Sequence, residues 1–148
     1  MRCADVPDEN ANPGAVNVST YLIGKPRASH YSLFGRGTRG YVAWHIEKER
    51  WVFLKDMWKN AALDVPFELE VYMHLKGVEY IPTAIGGGPV GSPTKAQDLF
   101  PDTDRPATRV HCRLVLEEVA QPLEDYKDAS HLVVILEHAL QGLSSTAS

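Results

Sequence analysis

The sequence predicts an α+β fold: an antiparallel sheet with one packed helix and a second helical stretch near the C-terminus. Three observations predict it. Short β-rich runs separated by glycine-containing or charged turns occupy residues 16–54, the pattern of an antiparallel meander. One segment, Phe67–Leu75, then carries apolar residues at helical spacing. Later a strand-like run, Val110–Glu117, precedes a helical stretch from about Ala129 to Leu143.

Composition sets the frame. A chain of 148 residues with 44% apolar and 23% charged residues is long enough to bury a core and belongs to the folded class. The net charge of −4 supplies no basic stripe and argues against nucleic acid as a partner. No apolar run approaches the ~18–20 residues that span a bilayer, so no membrane association is expected. The start, Met1–Asn10, has no apolar signal-peptide core. Two cysteines, Cys3 and Cys112, are too few for a disulfide framework, and an intracellular, reducing setting follows as the default.

Each element has its own warrant. Residues 1–15 are polar and contain Pro7, Pro13 and Gly14, which reads as a flexible lead-in. Val16–Ile23 is β-rich and closes at Gly24-Lys25-Pro26; His30–Phe34 is short and apolar and runs into a glycine segment. Tyr41–Ile46 and Trp51–Leu54 form two further strands around the charged turn Glu47–Arg50. Asp64 is a candidate N-cap, with Pro66 in the first turn. Phe67, Val71 and Leu75 recur every four residues with Tyr72 alongside, and Gly77 ends the helix. Val78–Ile85 reads as a strand in which Pro82 favours an edge. Residues 86–108, rich in Gly, Pro, Asp and Thr, read as a long loop. In the last helix, Leu132, Ile135, Leu136 and Leu140 form one apolar face.

Chemistry concentrates in an ordered triple. Gly35-Arg-Gly37-Thr-Arg-Gly40 is followed by Tyr41–Ile46, a β-rich run without a cap. A dinucleotide site would need a helix to open at the third glycine, so a hairpin folding over phosphates fits better, with an ordinary glycine hairpin as the alternative. Lys55 follows three apolar residues on a presumed central strand, and Glu68 borders the inward stripe of the next helix. An ammonium against a core face needs a partner. A facing carboxylate would hold it where phosphate oxygens could reach it. Alternatively Lys55 snorkels to the sheet edge and Glu68 is solvated. Val42 and Lys55 are 13 positions apart, and so are Lys55 and Glu68. No histidine or cysteine spacing matches a metal motif. His111 and Cys112, adjacent on a strand, point to opposite faces.

With these residues the chain resembles the fungal-type protein kinase family, a divergent branch of the protein-kinase-like fold. The resemblance rests on Gly35–Arg39, Phe53–Trp58, Glu68–Leu75, Gly77–Thr83 and Arg109–Leu123, and covers roughly residues 18–143. Its most specific elements are Lys55-Asp56-x-Trp58 and His111-x-Arg113-Leu-Val with Pro122-Leu123. It implies a protein-kinase small lobe from about 16 to 122, the first helical stretch of the large lobe over 123–143, and a tail at 144–148. It further implies ATP with Mg²⁺ as cofactor and phosphorylation of protein Ser/Thr. Gly35, Gly37, Gly40 and Val42 would lie over the nucleotide, Lys55 would contact phosphate, and Glu68 would pair the lysine. Leu116 would be the gatekeeper, and Glu117–Val119 the hinge beside adenine.

The chain departs from the pattern in two ways. Phe53 stands where ordinary kinases carry the alanine that lines the adenine pocket, and it narrows that space. No His-Arg-Asp catalytic loop or Asp-x-Gly metal site occurs, so no catalytic base or metal ligand is assigned. The sequence therefore reads as an N-terminal kinase fragment, itself inactive. Its alternative is a non-catalytic, pseudokinase-like module acting through nucleotide or protein binding, and a plain α+β domain is the third reading. Truncation would uncover an apolar lobe face and favour self-association or a protein partner.

Overall fold

The computed structural model describes residues 1–8, 18–29, 37–63 and 66–146. The strands are β1 (Arg2–Pro7), β2 (Val18–Ile23), β3 (Ala28–Ser29), β4 (Arg39–His45), β5 (Arg50–Asn60), β6 (Ala84–Pro89) and β7 (Arg109–Leu116). The helices are α1 (Glu68–His74) and α2 (Ala129–Ser145). All strand pairings among the described residues are antiparallel, in the order β1-β2-β4-β5-β7-β6, with β3 added to β4. The domain is thus α+β. Asp64 and His30–Phe34 lie outside the described residues.

The sheet curls until its ends meet. Asp8, just past β1, bridges to Gly86 of β6. Alternation along the strands then separates two cores. Inside the curl lie Ala4, Val6, Tyr21, Tyr41, Ala43, Val52, Leu54 and Val115. On the outer face, Met57, Cys112, Leu114 and Leu116 pack with Ala84 beneath Phe67, Leu69 and Tyr72 of the α1 region. Strand β5 runs on past Leu54 to Asn60, because it pairs with β7 from Phe53↔Leu116 to Asn60↔Arg109.

Three expectations are corrected. First, the polar start is not a lead-in throughout, since Arg2–Pro7 is a strand with Ala4 and Val6 fully buried. Its polar groups are matched: Thr20 Oγ1 donates to Asp5 at 2.9 Å, and Ser19 Oγ donates to Asp8 at 2.6 Å. Second, residues 78–82 are turns, and the strand is Ala84–Pro89, so Gly86, Gly87 and Gly88 are ladder residues rather than loop. A Cβ on Gly87 would stand 2.9 Å from the Arg113 carbonyl oxygen, and one on Gly86 would stand 3.0 Å from that of Pro7. Their composition suits the crowded seam where the curl closes. Third, Leu69 and Tyr72 join Phe67 on the inward face of the helix, while Val71 is 45% exposed.

Helix α2 starts at Asp128, whose carboxylate accepts from the His131 amide at 2.8 Å. It rests on the 78–82 turns. The His138 ring stacks on Tyr80 at 4.2 Å, and a Cβ on Gly142 would lie 3.3 Å from Ile81 Cδ1. Its expected single apolar face divides, with Leu132 and Ile135 half-buried while Leu136 and Leu140 are exposed.

On the inner side of the curl, His45 is buried against the Tyr21 ring, with ring centroids 4.7 Å apart. Burial, and next the charge of Asp8, push the Tyr21 phenol up to about 12. Burial, and next the charge of Lys48, hold the His45 imidazole below its ordinary value. Its Nδ1 accepts from the Lys48 amide at 3.4 Å, which a proton on that nitrogen would oppose. As pH falls through about 6.5, the unfolded imidazole takes up a proton before the folded one does. The unfolded state then binds more protons, and stability declines with falling pH until the folded imidazole also titrates. Urea midpoints between pH 7.5 and 5 are expected to fall in the wild type, and His45→Gln is expected to remove part of that slope. An unchanged slope in the variant would assign the pH dependence to other groups.

Candidate functional site

The candidate site lies on the outer face of the sheet, where two rows of side chains cross three strands. Gly40, Lys55 and Leu114 are directly opposite one another on β4, β5 and β7; Val42, Phe53 and Leu116 form the neighbouring row. A period of two places Lys55 and Phe53 on this face and Leu54 and Asp56 on the other. The site therefore follows from strand register alone.

Above the first row, α1 supplies Glu68 from its first turn. The ammonium of Lys55 donates to both carboxylate oxygens, at 2.6 Å to Oε1 and 2.8 Å to Oε2. The two side chains are 29% and 32% exposed. At that exposure the pair stabilises the fold by only about 0–1 kcal/mol, so its consequence is positional. Two of the three ammonium donors face Glu68, and the third is available to an anion arriving at the row. The charge of Glu68 also reaches Tyr72, whose phenol is raised first by burial and then by this carboxylate.

The strand end is tied to the segment before β6. The Glu117 amide donates to the Thr83 carbonyl at 2.9 Å, and the Thr83 amide donates to the Glu118 carboxylate at 2.8 Å. The side chain of Glu117 pairs with Arg50. Leu116 is buried in the outer core, whereas Val119 is exposed beyond the strand. Phe53 packs against that same core. Gly37 has φ +53°, a left-handed conformation that suits glycine, and Gly40 is buried opposite Lys55. Gly35 lies outside the described residues.

The structure thus brings Gly40, Val42, Lys55, Glu68 and Leu116 to one face, with Gly37 at the approach and Glu117 and Val119 at the strand end. Sequence reasoning gave no site role to a second cluster on the opposite face: Asp56, Trp58, His111 and Arg113. Its only sequence signal is the alternation within Lys55-Asp56-x-Trp58 and His111-x-Arg113, which places each pair on one side of its strand. No group of three or more His, Cys, Asp or Glu side chains suited to a metal ion occurs among the described residues. No helix among them is long and apolar enough to cross a membrane.

Comparison with protein families, with curated proteins and with solved structures finds no match for this chain. Fold and site together define a small α+β domain in which a strand lysine, paired with a helix glutamate, stands opposite Gly40 of the neighbouring strand.

Proposed function

We propose that this domain is the nucleotide-gripping small lobe of a protein kinase of the fungal type, in which Lys55, held by Glu68, contacts the phosphates of ATP·Mg²⁺. The observation that carries this reading is the bidentate Lys55–Glu68 pair, with Lys55 directly opposite Gly40 in strand register. A fixed ammonium beside glycine backbone suits a phosphate chain, because positioning and charge neutralisation are what phosphoryl transfer asks of a protein. Val42 and Leu116 would border the base, and the backbone after Leu116 would meet its edge. Phe53 narrows the same row, so the base would sit toward Val42 and the strand end. The phosphoryl acceptor would be a protein Ser or Thr hydroxyl. This chain contributes the grip, while the proton-accepting aspartate and the metal ligands are not among its residues.

ATP with Mg²⁺ is expected to raise the melting temperature of the wild type, with a stabilisation of about 2.7 kcal/mol at a hundredfold excess over Kd. Lys55→Ala is expected to abolish that shift and Glu68→Gln to reduce it, with little change in the ligand-free melting temperature. The chain alone is expected to transfer no phosphate. An equal shift in Lys55→Ala, or none in the wild type, would overturn the reading. A second reading, a non-catalytic module acting through protein contacts, is favoured by Val133, Leu136, Leu140 and Leu143, each at least half exposed along α2. The absence of any nucleotide shift would support it.

A further inference from the structure

Residues of the two sequence signatures to which the nucleotide site gives no role, Asp56 and Trp58 from one and His111 and Arg113 from the other, meet each other in space. Asp56 stands opposite Arg113, and Trp58 opposite His111, in alternate pairs of the β5–β7 ladder. A single oxygen of Asp56 is bonded to His111 Nε2 at 2.6 Å and accepts from Arg113 Nε at 3.1 Å. Arg113 also donates to the Asp5 carbonyl at 2.9 Å, which ties the cluster to β1. The His111 ring lies nearly parallel to the Trp58 indole, with centroids 4.7 Å apart and planes 19° apart. The side chains of Asp56, His111 and Arg113 are each about a fifth exposed, at 19%, 21% and 21%. This is a locked stack at the rim of the curl.

Beside the stack lies Gly37, which leads into β4. A Cβ placed on Gly37 would lie 3.4 Å from Trp58 Cδ1, and Gly37 holds a left-handed φ of +53° there. Three residues later Gly40 is in register with Lys55. A rigid indole beneath Gly37 therefore sets where the backbone enters the row that carries the ammonium. Loops lose backbone entropy on ordering at about 1–2 kcal/mol per residue, so a preformed seat lowers the cost of ordering this one around an anion.

We propose that Trp58 is the seat of the glycine segment, and that His111, locked by Asp56, is a positioning residue that orders Gly37–Gly40 for phosphate binding. The inference rests on the nucleotide reading above for its purpose, but not for its geometry. Neither His111 nor Trp58 touches the nucleotide in this scheme. Both act from the face of β5 opposite Lys55.

The test uses the full chain labelled with 5-fluorotryptophan, the Trp58 resonance being assigned with Trp58→Phe. Amide exchange is read over residues 38–42 with and without ATP·Mg²⁺. In His111→Ala the Trp58 resonance is expected to shift, and ligand-free exchange over 38–42 to quicken about tenfold. Exchange at Val52 and Leu54 should hold, and ATP affinity should fall roughly five- to tenfold. His111→Phe, which restores a ring over Trp58, is expected to recover most of the protection. Lys55→Ala should lose ATP binding with loop exchange unchanged. Unaltered exchange over 38–42 in a folded His111→Ala overturns the proposal, whatever happens to nucleotide binding. If that variant does not fold, Trp58→Leu is read at the same amides with the same criterion. Absence of ATP binding in the wild type overturns the nucleotide reading alone, because the exchange measurement needs no ligand.

Discussion

Val6→Asp is expected to abolish the cooperative folding transition of this chain, or to lower its stability by more than about 4 kcal/mol. Val6 is 0% exposed and lies in the inner core with Tyr21, Leu54 and Val115. A carboxylate there would be buried among apolar side chains. Asp5 and Asp8, by contrast, already take the hydroxyl donors of Thr20 and Ser19. An unpaired buried charge is among the costliest single changes a core can receive. The neighbouring substitution Asp5→Asn is expected to shift the urea midpoint only slightly, since Asp5 is exposed and its pair with Thr20 lies at the surface. Chemical denaturation of the two variants provides the check. Near wild-type stability in Val6→Asp would mean that the first strand is not part of the folded core.

Gly87→Val is expected to destabilise by about 3 kcal/mol or more, through backbone crowding rather than lost contacts. A Cβ at this position would lie 2.9 Å from the Arg113 carbonyl oxygen and 3.3 Å from Leu114 Cα. Neither atom can retreat without parting β6 from β7. Because Gly86 meets Pro7 of the first strand, opening this seam also loosens the Asp8–Gly86 closure. Gly24→Ala is the matched control, since a Cβ there meets nothing within 4 Å, and it is expected to stay within about 0.5 kcal/mol of wild type. Calorimetric melting of both variants distinguishes a crowded seam from a general intolerance of added methyl groups. A mild Gly87→Val would show that β6 can shift outward at little cost.

The N-terminal strand and the glycine strand were the two elements least visible in the sequence, for one shared reason. Ala4 and Val6 are small apolar residues set among polar ones, and Gly86–Gly88 have no side chains to show a period. Strand formation at both places depends on partners far along the chain. The second cluster was hidden in the same way. Asp56 and His111 are 55 positions apart, and Asp56 and Arg113 are 57 apart. Alternation says which side of a strand a residue occupies, but not which strand lies beside it or in what register.

Other features were legible because they are local. Continuous β-rich runs at Tyr41–His45 and Trp51–Leu54 around a charged turn mark two strands, and the apolar spacing of Leu132, Ile135, Leu136 and Leu140 marks α2. Lys55 and Glu68 fall on a strand and the helix that follows it, only 13 positions apart, so a short connection already confines them to neighbouring elements. Composition and periodicity thus pointed to the α+β class, the central strands and both helices, and placed the lysine and the glutamate on successive elements. Closure of the curl, the glycine seam and the Asp56–His111–Trp58 stack emerged only in three dimensions. They depend on long-range pairing and register, which the energy of the whole sheet selects and no local run of residues encodes.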